Sequence, residues 1–506
     1  MAIARAVSIQ PSVTRGDVVT IETDLSRGLY SFAVVGLPGK AVEEARDRVG
    51  SAIKNSGFTS PKSENQKVVV SLAPADLKKE GSLFDLPIAL SYLVAAQKVH
   101  ADLTHTILVG ELGLDGTLRP VRGVLQIAQA AAQKGFVEVV VPKENEREAA
   151  LIPNIRVIGS TTLIEVVRHL DHTRDDHARI ATTPPTDIPD GWHEGTVRLE
   201  DIRGQESAKR GLIIGAAGRH NSLMVGPPGT GKTMLARTFQ SLLPPLSTDE
   251  ALEVCAIHSI AGEPGTISSQ PPFRAPHHTA SHTSLVGGGA NPRPGEVTLA
   301  HRGVLFLDEL PEFERRSIDA LRQPLEDRVV SISRVQSSAL FPADFILVAA
   351  LNPSRGGDAG ADYASQMLET YKNKISGPIL DRIDLWLPVP HVDYNTLTAK
   401  RERSAVSDET TRARAQIAAA RRRQAERFKS VGITTNAEMS ARDIETFIEL
   451  SNEVRDLLKT SAQKLKLSPR SYHRLIKVAR TIADLGGEDT LAPTHVLEAL
   501  QYRVNM

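Results

Sequence analysis

From residue 1 to about 170, short β-branched runs alternate with stretches whose apolar positions recur every three or four residues. VVTIET, KVVVSLA, HTILVGEL and VEVVVP read as strands, and AVEEARDRVGSAIKNSG and GVLQIAQAAAQKG as helices, each stopped by glycine. The pattern predicts a mixed α/β N-terminal domain over 1–170. LPIALSYLVAA at 86–96 is the most apolar run, yet far short of the about 20 residues that span a bilayer, and it predicts a buried helix. Residues 171–198 carry many Asp, Thr and Pro without apolar periodicity, the pattern of a linker. Between 199 and 392 the apolar runs SLMVG, GVLFLD and FILVAALN alternate with amphipathic helices, which predicts a parallel sheet covered on both faces. From 393 to 506 the strand pattern gives way to long Ala-, Leu-, Arg- and Glu-rich helical stretches, an all-α region. There is no repeat of solenoid period.

Composition narrows this little. In 506 residues, Lys plus Arg and Asp plus Glu both total 60, so no overall field favours nucleic acid, and any such site must be a local patch. The single cysteine, Cys255, excludes an internal disulfide and a multi-cysteine metal cluster, which suits a reducing compartment such as the cytoplasm. MAIARAVSIQ has no apolar signal core, so neither export nor membrane attachment is expected.

The chemistry concentrates in the second domain. SLMVGPPGTGKTMLART places a strand, a glycine-rich loop and a helix in the order a phosphate-binding loop requires. The backbone of Gly226, Pro227, Pro228, Gly229, Thr230 and Gly231 would surround a β-phosphate, Lys232 would neutralise charge between β and γ, and the Thr233 hydroxyl would meet Mg²⁺. GVLFLDEL ends an apolar strand in Asp308, placed for the Mg²⁺ shell, and Glu309, placed to polarise an attacking water. FILVAALNP ends in Asn352, which would orient that water, although an Asn before Pro is also an ordinary turn.

With DIRGQ at 201–205, these motifs resemble those of AAA+ ATPases. PFRAPHHTAS, RPGEVTLAHRGVLFLDELPEF and GPILDRIDL are similar to the magnesium-chelatase-like ComM/YifB family, and the resemblance runs over nearly the whole chain. It implies ATP and Mg²⁺ as cofactors, Ile202, Gly204 and Gln205 near the adenine, and Arg382 of LDRID as an arginine finger for the next subunit. A surface ion pair with Asp381 or Asp384 is the plain alternative for Arg382. Arg470 of LSPRSYHRLIKVAR matches the lid's sensor arginine, with Arg474, four residues on and on the same face, in reserve. A finger supplied by a neighbour implies a homo-oligomeric ring, commonly a hexamer.

Two segments resemble the pore insertions of helicases in this clade. VVSISRVQSSALFP predicts a hairpin with Arg334 near its tip, and SLVGGGANPRPGEVTLA offers Arg293. Either cation would contact DNA phosphates without reading sequence. The basic stretch TRARAQIAAARRRQAERFK at 411–429 reads as a charged lid surface. His277, His278 and His282 read as packing and hydrogen-bonding groups rather than zinc ligands, and LNPSRGGDAGADYAS lacks the cysteine cluster that family members often carry there.

GELGLDGTLRPVRGVL, followed by VVVPKEN, resembles the Lon peptidase fold. Laid on that family's pattern, KKEGSLFD puts Leu83 at the nucleophile and Ser82 beside it, while Leu125 falls at the lysine position. Without the Ser-Lys pair no peptidase activity is expected, and the domain reads as a platform for subunits or for a recombination-protein partner. The resemblance implies a DNA motor that aids branch migration during transformation. A chelatase-like accessory ATPase and a protein-remodelling scaffold are the alternatives, the former disfavoured because small chelatase subunits lack such an N-terminal domain.

Overall fold

In the computed structural model, the described residues are 3–12, 15–192, 194–195, 197–263, 267–289, 293–334, 337–352, 375, 377–393 and 409–503, with backbone alone at 333–334 and 337–339. They form two compact units, one of residues 1–189 and 251–268, the other of 190–250 and 269–506.

The first unit is built on a seven-stranded sheet. Its order is Ser31–Val35, Gln66–Ala73, Gly16–Arg27, Ala4–Pro11, Leu103–Leu108, Glu138–Pro142 and Arg156–Ser160. The long Gly16–Arg27 strand is antiparallel to both neighbours, whereas the last four strands of the order run parallel. Helix Asp85–Ala95, the apolar run noted above, is buried along almost its whole length. The residues after Leu170 do not leave this unit at once. Thr183 donates its backbone N–H to Val157 O at 2.8 Å, Thr186 donates to Ala150 O at 3.0 Å, and Ile180 and Ile188 pack on the core. Their bonding partners lie along or near the outermost strand, whose free polar groups would otherwise face solvent.

Nor is the unit continuous in sequence. Helix Thr248–Ala261 begins in the second unit, but from Ala251 onward it belongs to the first, together with the chain to Ser268. Leu252, Cys255, Ala256 and Ile267 pack on the first core; Gln126 Nε2 donates to Ala256 O at 2.5 Å, and Gly123 N to Ser259 Oγ at 3.0 Å. Buried backbone groups must find partners, and these bonds supply them.

The second unit holds a fully parallel five-stranded sheet, ordered Phe273–Arg274, Val304–Leu307, Ile346–Leu351, Ser222–Val225, Leu385–Pro388. Val304–Leu307 and Ile346–Leu351 are buried at every position, as strands covered on both faces must be. Helices Glu206–Gly218, Glu409–Arg427, Pro469–Gly486 and Pro493–Gln501 share one apolar core with this sheet. The predicted hairpin is present, with Val329–Arg334 antiparallel to Ser337–Pro342 and Arg334 paired to Ser337 at its end.

Helix Glu409–Arg427 carries the solvated charged surface its sequence suggests on one face only, where Arg412, Arg422 and Arg423 are exposed. Ala413, Ile417 and Ala420 face the core, while Arg414 and Arg421 turn inward to donate to Ser241 O and Ala216 O. Ala216 lies in the last turn of its helix, where carbonyls lack partners along the helix and a cation is favoured. The stretch after Asn352, read as lacking a cysteine cluster, lies outside the described residues up to 374, as do residues 394–408.

Candidate active site at the carboxyl ends of the parallel strands

Because the five strands run parallel, everything that follows a strand collects at one end of the sheet. The loop Gly226–Gly231 follows Ser222–Val225, Asp308 and Glu309 follow Val304–Leu307, and Asn352 follows Ile346–Leu351. A side chain at Gly226 would collide with Val389 O, so the loop can pass there only with glycine. Gly229 and Gly231 hold φ of 80° and 90° with open space around them, a backbone that leaves N–H groups free to face an anion.

Lys232 opens helix Lys232–Leu242 and lies folded onto its own loop, donating to Gly226 O at 2.8 Å and Pro227 O at 2.7 Å. Burial pushes its ammonium below the usual lysine range, against the pull of Asp308 and Glu309. The Thr233 hydroxyl donates to Asp308 Oδ2 at 3.1 Å. An alcohol and a carboxylate, both hard oxygen donors, thus already stand together, and this pair fits Mg²⁺.

Glu309 has a left-handed backbone, φ 52°, costly for a residue with a side chain and typical of functional positions. Its side chain is 46 % exposed. Asn352 Nδ2 donates to Oε1 at 3.1 Å, and His278 Nδ1 lies 3.8 Å from Oε2. The reading of His278 as a packing and hydrogen-bonding group named no partner; the structure sets it against this carboxylate, and the only signal was its place in PFRAPHHTAS. His277 stacks on it with ring centroids 4.1 Å apart. Among the described residues no three His, Cys, Asp or Glu side chains form a group that could hold a metal ion by themselves. Ile202 is buried, Gly204 and Gln205 are left-handed, and Gln205 Nε2 donates to Pro390 O at 2.6 Å, just beyond the strand Leu385–Pro388. These three residues are therefore at the phosphate-loop end.

Arg382 is not. It precedes Leu385–Pro388, and its carbonyl accepts from Asn221 Nδ2 at 3.1 Å, Asn221 being the residue just before Ser222–Val225. Both belong to the amino ends of the strands, so about 13 Å of four-residue strand separates Arg382 from its own phosphate loop. Arg382 is buried, donating Nη1 to Pro378 O at 2.6 Å and pairing Nη2 with Glu326. Arg470, 64 % exposed at the start of helix Pro469–Gly486, lies 3.6 Å from the same Glu326 carboxylate. Arg474 is turned to Asp384 Oδ1 at 3.6 Å. Burial acts to raise the Asp384 pKa, but Arg474 and His220 overcome it and hold the carboxyl well below the usual carboxylate range. Arg474 is thereby committed to the interior, whereas Arg470 faces outward. Both border a cleft of about 520 Å³ with Arg382 and Glu326. Arg293 is exposed in the short pairing of Gly287–Gly288 with Arg293–Pro294, and Arg334 is placed by backbone alone.

Over 510 residues the chain is 43 % identical to "Competence protein ComM" of Haemophilus influenzae, covering 99 % of this chain and 98 % of that one. It is 44 % identical over 491 residues to "Uncharacterized protein YifB" of Escherichia coli, covering 96 % and 94 %. The chain belongs to the ComM/YifB family. Models described as magnesium chelatase subunit ChlI, subunit ChlI of Mg-chelatase, and the ChlI C-terminal region match residues 198–397, 21–145 and 407–503. The chain is thus of the magnesium-chelatase-like AAA+ class, which implies an ATPase. The match at 21–145 removes the force of setting ComM/YifB chains apart from chelatase subunits by their N-terminal domain. A Lon protease of Solibacter usitatus is 26 % identical over 162 residues, 31 % of this chain and 20 % of that one.

In this ComM/YifB chain, Leu83 and Leu125 are buried apolar side chains. Lys79 is fully buried, donating to Gly36 O at 2.9 Å and also to Pro74 O. Ser82, which has no lysine partner in the sequence pattern, donates its hydroxyl to Glu111. A carboxylate is a weak base toward an alcohol, so this pair does not replace a Ser-Lys dyad. Among the described residues no helix is long and apolar enough to cross a membrane.

Proposed function

We propose that this chain is the subunit of an ATP-driven ring, a hexamer working in the cytoplasm, that moves single-stranded or branched DNA through its centre. One observation carries the reading. The phosphate loop and Arg382 stand at opposite ends of one parallel sheet, so a complete site needs the arginine of a second copy. A ring repeats that head-to-tail contact until it closes.

At the phosphate-loop end, Thr233 and Asp308 would hold Mg²⁺, which supplies charge neutralisation between β- and γ-phosphates. Lys232 would leave its two loop carbonyls for the phosphates. Glu309 orients the attacking water and takes up its proton, and Asn352 fixes the rotamer from which it does so. From the neighbouring copy, Arg382 and Arg470 stabilise transition-state charge; both lie at the amino ends of the strands, so the lid arginine acts in trans with the finger. Arg334 on the hairpin and Arg293 beside it are the DNA contacts, made to phosphates without sequence preference. The N-terminal unit serves as the platform for a recombination protein. A relative named as a competence protein supports work on incoming DNA.

The chelatase-like ATPase is kept as a second reading because all three matched models carry that description. The two part on one measurement, ATP turnover with single-stranded, duplex and branched DNA, beside Lys232→Ala and Glu309→Gln. The DNA motor requires stimulation of several-fold, lost in both variants; turnover indifferent to every DNA form would leave the chelatase-like reading.

A further inference from the structure

Two arginines and one carboxylate meet at the amino ends of the strands. Glu326, in helix Arg322–Asp327, pairs with Arg382 through one oxygen and lies 3.6 Å from Arg470 through the other. The three come from distant parts of the chain, and the rest of the cleft explains why Glu326 is their shared partner. Arg474 is taken by Asp384, Arg219 lies 3.0 Å from Asp344, and Arg328 lies 3.1 Å from Glu438. Each of those carboxylates is at least largely buried and committed, whereas Glu326 is 54 % exposed. Arg382 is buried and Arg470 exposed, but the carboxylate they share is reached by water, which leaves it held weakly enough to exchange.

We infer that Glu326 is a latch: it holds both arginines within each subunit and yields them only when a partner's nucleotide phosphates compete for them. The inference rests on the trans reading of Arg382 and Arg470 given above. A guanidinium binds carboxylate and phosphate through the same planar fork, so exchange costs little geometry, and a triphosphate carries more charge than one carboxylate. The carboxylate also offsets repulsion between the two guanidinium groups, keeping them as a preformed pair. Glu326 acts only through the arginines and is a positioning residue. Its consequence is a threshold, since subunits meeting without nucleotide keep their arginines at home.

The test is ATP turnover measured against protein concentration for wild type, Glu326→Gln, Glu326→Asp, Arg382→Ala and the Glu326→Gln/Arg382→Ala double variant, with thermal melting as a check of folding. Removing the charge should lower the protein concentration at half-maximal turnover about threefold, the size a half-exposed ion pair allows. Asp, with its charge retained on a shorter arm, should fall between wild type and Gln, and carries the test alone if the Gln variant does not fold. The double variant should keep only the part of the shift that Arg470 carries, and so move less from Arg382→Ala than Glu326→Gln moves from wild type. An unchanged or higher half-point in the Glu326 variants, or a shift in the double variant as large as that of Glu326→Gln alone, overturns the latch. Turnover in Arg382→Ala that stays fast and independent of concentration would instead sink the trans reading, and the latch with it.

Discussion

At the carboxyl ends of the five strands, the groups placed for chemistry are exposed or poised: Glu309 points outward, Thr233 and Asp308 share one hydrogen bond, and Lys232 rests on its own loop. At the amino ends the arginines are already paired, Arg382 and Arg470 with Glu326, Arg474 with a buried Asp384. One end lacks a charge partner and the other holds charge in reserve. A parallel sheet cannot join its own two ends, so under the proposed trans role of Arg382 this difference makes assembly a condition of activity.

The strongest way to break that comparison is to remove the reserve. Arg382→Ala should lower turnover by about a thousandfold with nucleotide binding kept, the lower bound expected for an arginine finger. Mixing it with Lys232→Ala should recover part of the rate, because one variant brings an intact loop and the other an intact arginine. A mixture no faster than its components would show that the two ends do not serve one another.

Next in size is the anchor of the amino end. Breaking the buried pair with Asp384→Asn should cost about 3–5 kcal/mol of stability at pH 7, read from denaturant unfolding. The sign with pH follows from its depressed pKa in the folded chain. The stabilisation is full above the unfolded-state value of about 3.9 and is lost as pH falls through the lower folded value. The variant should therefore lie below wild type near neutrality and converge on it in strong acid. Equal stability at pH 7 would mean that Arg474 is free to act with Arg470.

The smallest effect is expected in the first unit. Ser82→Ala should leave ATP turnover within about twofold of wild type, as for surface changes away from a mechanism, and neither protein should cleave an unfolded substrate supplied with ATP. Cleavage that depends on Ser82 would make its bond with Glu111 catalytic after all.

The legibility of the two ends differs for a physical reason. A phosphate loop is a local object: strand, glycines and helix are consecutive, so Gly226 to Thr233 could be read directly, and Asp308, Glu309 and Asn352 marked the ends of apolar runs. The amino-end cluster draws on residues 221, 326, 382 and 470, which no window of sequence contains. Arg382 was legible through its motif; Glu326 was not, because an acid in a short helix looks like any exposed acid until the fold sets two cations against it. His278 stood within a quoted motif, but its partner could not be read there, since only the neighbouring strand end shows what it faces.

The same division holds for the chain as a whole. By itself the sequence determined the class of each region, the helix and strand periods, and the residues of the phosphate loop, all set by backbone geometry over a few residues. The tertiary structure alone decided that helix Thr248–Ala261 completes the first unit, that Arg421 turns inward, and which of two lid arginines stays outside. Apolar attraction has no direction and charge pairing depends on burial, so a sequence can announce a face or a charge while only the folded chain selects its partner.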